Sequence, residues 1–252
     1  MKVKKISIIP WLIPIIVIIA WQLVTQFGVV STQLLPGPIT VLKSFYQLVI
    51  SGDLLYHLEG SLGRAIVGLI IGGGIGFLLG IANGLSKFSF QFTDTTLQMV
   101  RNVPNLALVP LVIIWFGIDE GAKIFLVAIG VMFPIYINTL HGIRNIDSGY
   151  IEMGRMYGLK GWGLFKEVLL PGALPSIFVG IRYSLGVMWM TLIVAETIAT
   201  TRGVGYLATT AQQFMQSDVI IITIILYALF GKIADLIARW GEKKALRWHK
   251  AY

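Results

Sequence analysis

Arg101, Asn102 and Asn105 carry hydrogen-bond donors inside a stretch that is otherwise apolar, with Pro104 and Pro110 among them. A guanidinium and carboxamides so placed can hold an oxyanion that has left its hydration shell, so the chemistry on offer is binding rather than bond making. Trp189 and Thr191 add aromatic and polar groups to a later apolar run, and these five residues are candidates to line a path for a small organic anion. The competing reading puts Arg101 at the membrane interface, on lipid phosphate or capping a neighbouring helix. Covalent chemistry has no comparable set of groups. The chain has no cysteine, so thiolates, disulfides and cysteine metal sites are excluded. His57, His141 and His249 lie far apart, and no paired carboxylates or nucleophile–base set falls in or beside an apolar run. No Gly-Lys-Ser/Thr phosphate loop occurs either, so the chain is not expected to bind or hydrolyse ATP. The expectation is a protein that is not an enzyme, with no catalytic residue, metal or cofactor.

The elements that must position these groups are membrane-spanning helices. With 56% hydrophobic and only 13% charged residues among 252, the chain is too apolar for a soluble domain of its length. Several runs reach about 20 residues, enough at 1.5 Å per residue to cross a hydrocarbon core of about 30 Å. Six spans are expected, near 8–27, 65–85, 97–116, 124–140, 177–199 and 219–237. The start, Lys2, Lys4 and Lys5 before an apolar run, resembles a secretory signal. No small-residue cleavage site follows, so it reads as an uncleaved first span. The third span is interrupted by Arg101, Asn102, Pro104, Asn105 and Pro110, and such breaks survive in a bilayer only against protein or a watery cavity.

A net charge of +8 would suggest a nucleic-acid surface in a soluble protein, but here the cations cluster between apolar runs, where they report topology. With the N-terminus inside, fourteen cations from Lys2 to Lys250 fall on or near the cytoplasmic side, and only Lys43, Arg64, Lys123 and Arg202 fall outside. Both termini are therefore expected in the cytoplasm, and no nucleic acid is expected as a partner. The external stretch 30–63 holds an amphipathic helix near Val41–Ile50, and the external loop 200–217 begins Gly203-Val204-Gly205-Tyr206-Leu207. These segments either meet an extracytoplasmic partner or cap helix ends. In the second span Gly68, Gly72, Gly76, Gly80 and Gly84 recur every fourth residue, making one face that a neighbouring backbone can approach, with a neighbour in the same chain expected.

Residues 142–175 are too many for a turn and too polar for the bilayer, and they read as a cytoplasmic helical hairpin. Phe165, Val168 and Leu169 share a face, Lys160, Lys166 and Glu167 supply polar surface, and Pro171 and Pro175 are expected to stop the helix before the next span. Glu152-Met153-Gly154 is followed after three residues by Gly158 and, after nine more, by Val168, Leu170 and Pro171. This resembles the signature loop of ABC importer permeases: Glu-Ala-Ala, three residues, Gly, nine residues, an aliphatic, one residue, Leu-Pro. The departures are Met153, Gly154 and Val168, all small or apolar. The resemblance runs from about Trp21 to Trp248 and includes Arg101-Asn102-Val103-Pro104, the stretch Trp115 to Glu120, Phe133 to Asn138, Gly142 to Asp147, and Val194-Ala195-Glu196. It points to the sulfonate, taurine and nitrate branch and is most similar to the aliphatic sulfonate permeases.

The resemblance implies an all-α polytopic membrane protein with the type I importer permease fold. Residues 1–252 would form one transmembrane domain, and 142–175 the coupling loop within it, where Glu152, Gly154, Gly158, Leu170 and Pro171 would seat against an ATPase. It further implies two permease copies, two ATPase subunits and an extracytoplasmic binding protein around a lipid-embedded path in a bacterial inner membrane. The alternative cargoes are taurine, nitrate or a thiamine precursor. An ion-coupled transporter usually needs ionisable groups deep in its helices, and here Arg101 and Glu196 are expected near span ends. A channel has no recognisable filter in its favour, and a membrane-embedded enzyme has no catalytic set.

Overall fold

A helix satisfies its backbone hydrogen bonds internally, as an apolar chain in hydrocarbon requires, and the regular structure among the described residues is all helical. The structure is a computed structural model describing residues 9–198 and 200–248, with side chains from residue 12. Lys2, Lys4, Lys5, Ile8, Ala199, His249 and Lys250 lie outside the described residues. The order is α1 (Ile9–Gln26), α2 (Pro38–Ile50), α3 (Asp53–Leu85), α4 (Lys87–Arg101), α5 (Asn105–Phe116), α6 (Glu120–Arg144), α7 (Ser148–Met156) and α8 (Gly161–Leu164). A π-helical turn (Phe165–Leu169) then leads into α9 (Leu170–Thr197), followed by α10 (Val204–Gln213) and α11 (Ser217–Ala245).

Among the described residues, four helices are long and apolar enough to cross a membrane: α3, α6, α11, and α9 with the turns that precede it. The third expected span is not one helix. It falls across α4 and α5, which meet at a 100° bend, because Pro104 disfavours helical backbone at Val103. The second span is longer than expected. Residues 53–63, expected in the external stretch, are the first turns of α3, a helix of 33 residues. Pro171 and Pro175 do not stop a helix as expected. Helical structure runs unbroken from Gly161 to Thr197, because the π turn widens the chain just before Pro171 and Leu170 N–H bonds Phe165 O.

The glycine face of α3 lies on α6 of the same chain. A β-carbon at Gly72 would come within 2.0 Å of Ala128 O, and one at Gly76 within 2.3 Å of Met132 O. Gly68 meets Val127, Gly80 meets Thr139 and Gly84 meets Ile143 in the same way, all under 3.0 Å. Helix α9 joins the same core, where Val127, Val131 and Ile135 of α6 pack with Ala65 of α3 and with Met188, Trp189 and Leu192 of α9. One end of this trio is pinned by Asn83, fully buried in α3. Its Nδ2 donates to Thr93 Oγ1 of α4 and to Tyr136 OH of α6, both at 2.8 Å, and its carbonyl accepts from Arg144 Nη2 at 3.0 Å. Tyr136 OH in turn donates to Asp94 Oδ1 (2.8 Å), and the Arg144 guanidinium stacks 3.6 Å from the Phe90 ring. The amphipathic α4 is thereby fixed, and with it the position of Arg101 at its end.

The packing at the helix crossing predicts a contrast between neighbouring glycines. Gly72→Ala drives a methyl group into backbone and should cost about 1–3 kcal/mol. Gly74→Ala, with nothing within 4 Å, should leave the thermal midpoint of the purified protein in detergent unchanged or slightly higher. Equal midpoints for the two variants would contradict this account of the crossing.

Candidate functional site

Three places hold the residues that could act: the hairpin after α6, the clefts beside α5, and the polar cluster at the far end of the bundle. The hairpin is built by local signals. Asp147 accepts from Gly149 N–H (2.8 Å) and starts α7. At its other end Gly158 N–H bonds Arg155 O (2.9 Å) and Leu159 N–H bonds Gly154 O (3.0 Å), a Schellman turn with Gly158 at φ +81°. Gly158 is thus demanded by backbone conformation rather than by close approach, since a β-carbon there meets nothing within 4 Å in this chain. Gly154 is the close-packed one: a β-carbon would sit 2.9 Å from Leu164 Cδ1 and 3.0 Å from Val168 Cγ2. That packing folds α7 back onto the π turn. Glu152 faces out beside Met156 (87% exposed), Tyr157 (81%) and Trp162 (73%). Leu170 and Pro171 begin α9, and Pro171 lines a cleft of 490 Å³ with Tyr150, Met153, Glu167 and Trp248.

The five residues singled out for an anion path divide. Arg101 and Asn105 line a cleft of 420 Å³ with Asn138 of α6 and Tyr183 of α9. Asn105 Nδ2 also donates to Thr191 Oγ1 (3.4 Å), which ties the start of α5, just after the α4–α5 break, to α9. Asn102 is exposed and ends α4, its N–H bonding Met99 O (3.2 Å). Trp189 lies apart from the cleft, 7% exposed in the α6–α9 core and stacked 5.0 Å from the Phe230 ring. The indole of Trp189 packs; it does not line. Asn138 and Tyr183 were missed because a single polar residue in an apolar run gives no periodic signal.

Glu196 lies near the end of α9, as expected from the sequence, and it is buried there, 1% exposed. Arg64 Nη1 (2.8 Å), Ser61 Oγ (2.7 Å), Gly205 N–H (2.8 Å) and Tyr227 OH (3.3 Å) all donate to its carboxylate. Arg64 also donates to Glu120 through Nε and Nη2 (2.7 Å to Oε1) and to Arg202 O (2.6 Å), so each of its three guanidinium nitrogens is engaged. Ser61 Oγ accepts from Val204 N–H (2.8 Å), and His57 Nδ1 accepts from Gly203 N–H (3.1 Å). Gly203, at φ +135°, must be glycine twice over, since a β-carbon would stand 2.6 Å from the Glu196 carboxylate. The Gly203-Val204-Gly205 segment therefore wraps a buried carboxylate. An Arg in one apolar helix and a Glu in another, each expensive to bury alone, was the available signal.

The family profile described as "Binding-protein-dependent transport system inner membrane component" matches residues 68–247. An Escherichia coli (strain K12) protein named as an aliphatic sulfonates transport permease, SsuC, is 56% identical over 99% of this chain and 96% of its own length. A Bacillus subtilis (strain 168) protein of the same name is 44% identical over 96% of this chain and 87% of its own. Among solved structures, that of an amino acid ABC transporter with histidines superposes with a TM-score of 0.59 at 19% identity, over 79% of this chain and 96% of that one. The last likeness is one of fold.

Removing one member of a buried pair leaves the other charge uncompensated, so Glu196→Ala is expected to cost about 3–5 kcal/mol. Tyr227→Phe deletes one long hydrogen bond to the same carboxylate and should cost about 1 kcal/mol. Thermal or denaturant unfolding of the two variants in detergent measures the gap; similar losses would remove Glu196 from the centre of the cluster.

Proposed function

Since the chain belongs to the family of binding-protein-dependent transport system inner membrane components, we propose that two copies of it form the membrane path of an ATP-driven importer for aliphatic sulfonates. The observation that carries this reading is the 56% identity over nearly the full length of a protein named for that transport. The catalytic work of ATP hydrolysis falls to separate ATPase subunits, and an extracytoplasmic binding protein delivers the cargo. The hairpin supports the first part. Met156, Tyr157 and Trp162 expose apolar surface on a segment too polar around them to sit in lipid, and such surface marks a protein contact. Glu152, Gly154, Gly158, Leu170 and Pro171 shape that contact, Gly154 and Gly158 by setting the fold of the hairpin.

The cleft beside α5 supports an anionic cargo. Arg101 and Asn105 line it, Thr191 holds Asn105 by a hydrogen bond, and Asn102 ends α4 at the helix break. A permanent tight site is not required, because an importer must release what it accepts. Orientation follows from the two ends of the bundle. The cations after α6 and at the end of α11 belong in the cytoplasm, together with both termini. The Glu196 end, where α10 covers the bundle, faces the binding protein.

The direct test is growth and uptake in a strain lacking this chain, with a series of alkanesulfonates as sole sulfur source; growth on all of them without the chain would sink the assignment. Met156→Glu and Tyr157→Glu place charge on exposed positions, so stability and membrane insertion should be unchanged. Uptake should fall by at least about tenfold and cargo-stimulated ATPase activity with it. Because no native cysteine interferes, single cysteines at Ser51, Ser148 and Thr210 report topology. An impermeant reagent added outside should label positions 51 and 210 and spare 148.

A further inference from the structure

Asn105 lines two clefts of opposite character. The one shared with Arg101, Asn138 and Tyr183 has no carboxylate in its wall, and the guanidinium of Arg101 has no hydrogen bond or ion pair among the described residues. Asn138 commits one N–H to Pro134 O (2.9 Å) and keeps the other. The second cleft, of 260 Å³, is walled by Leu106, Val109, Leu126, Met190 and Val194, so beyond the joint it is apolar. Val187 belongs to both, and the joint itself is the Asn105–Thr191 hydrogen bond. Gly130 makes that joint possible. A β-carbon there would stand 2.7 Å from Thr191 Oγ1 and 3.1 Å from Asn105 Nδ2.

We propose that the two clefts are one site for an amphiphilic anion, and that the permease itself selects cargo by alkyl length. The sulfonate head takes Arg101, Asn138 and Tyr183, whose donors suit its oxygens and whose wall repels no anion. The alkyl chain passes the Asn105–Thr191 joint into the apolar cleft, where each buried methylene changes partitioning by about fourfold. Asn105, at the boundary, faces the carbon next to the head. This rests on the import reading above, and charge complementarity at one end with apolar continuity at the other is what chooses an amphiphile over a bare inorganic anion.

Chain length separates this proposal from its alternatives. Met190→Trp and Val194→Phe fill the apolar cleft and leave Arg101, Asn138 and Tyr183 untouched. In cells carrying the whole assembly, each should lower hexanesulfonate uptake about tenfold relative to methanesulfonate, while methanesulfonate uptake stays near wild type and shows that the protein is folded and coupled. Met190→Ala should extend uptake to longer chains. A methanesulfonate-to-hexanesulfonate ratio at the wild-type value in both filling variants, or a uniform loss of both substrates, would overturn the proposal and leave the apolar cleft to lipid. A wild-type assembly that takes up neither compound would sink the import reading, and this one with it.

Discussion

The carboxylate of Glu196 has to be satisfied inside an apolar bundle, and much of the architecture at that end follows from this. An ionised group away from water survives only with a partner and a full set of donors. Here the donors come from α3, α10 and α11, and the pair is extended to Glu120 at the start of α6 through Arg64. No one of these elements can move alone without leaving a buried charge short of a bond. The glycines at 203 and 205 are the local consequence, since the chain must pass within contact distance of the carboxylate to deliver its N–H groups.

The same constraint bears on the charge asymmetry along the chain. Of the cations expected outside, Arg64, Lys123 and Arg202 are all ion-paired, to Glu196 and Glu120, to Glu120, and to Glu59. They stabilise structure at that end and carry little information about lipid. The cations near the end of α11 are different. Lys243, Lys244 and Arg247 are exposed beside Trp240 and Trp248, the composition expected of an interfacial anchor.

Legibility in the sequence tracked periodicity. The spans that are continuous apolar helices, α3, α6, α9 and α11, were visible because hydropathy sums over many residues, and the glycine face was visible because it repeats every fourth residue. The hairpin was visible by spacing. What stayed hidden depends on single residues meeting across the fold. Arg64 and Glu196 are 132 positions apart, and nothing local marks them as partners. Asn83, Asn138 and Tyr183 are lone polar residues in apolar runs, and Trp189 looked like a lining residue because burial of its ring against Phe230 has no sequence signature. Pro171 misled for a physical reason: proline stops an α-helix, but a π turn placed ahead of it lets the helix continue.

That π turn sits between the hairpin and the long part of α9. From Gly161 to Thr197 the chain is helical for 37 residues, about 55 Å at 1.5 Å per residue, with the hairpin at its base and Glu196 near its tip. A rod of that length joins its base to its tip, where hydrogen bonds tie it to α3, α10 and α11 and, through Arg64, to α6. Helix α6 packs along α9 and against the glycines of α3, where backbone within contact distance leaves no slack. The π turn and Pro175 are the irregular points of the rod, and both lie near its hairpin end. The broken pair α4–α5 is tied to this frame differently, at Asn83 on one side and at Asn105–Thr191 on the other. The 100° bend lies between those two bonds, and the clefts that share Asn105 lie beside it.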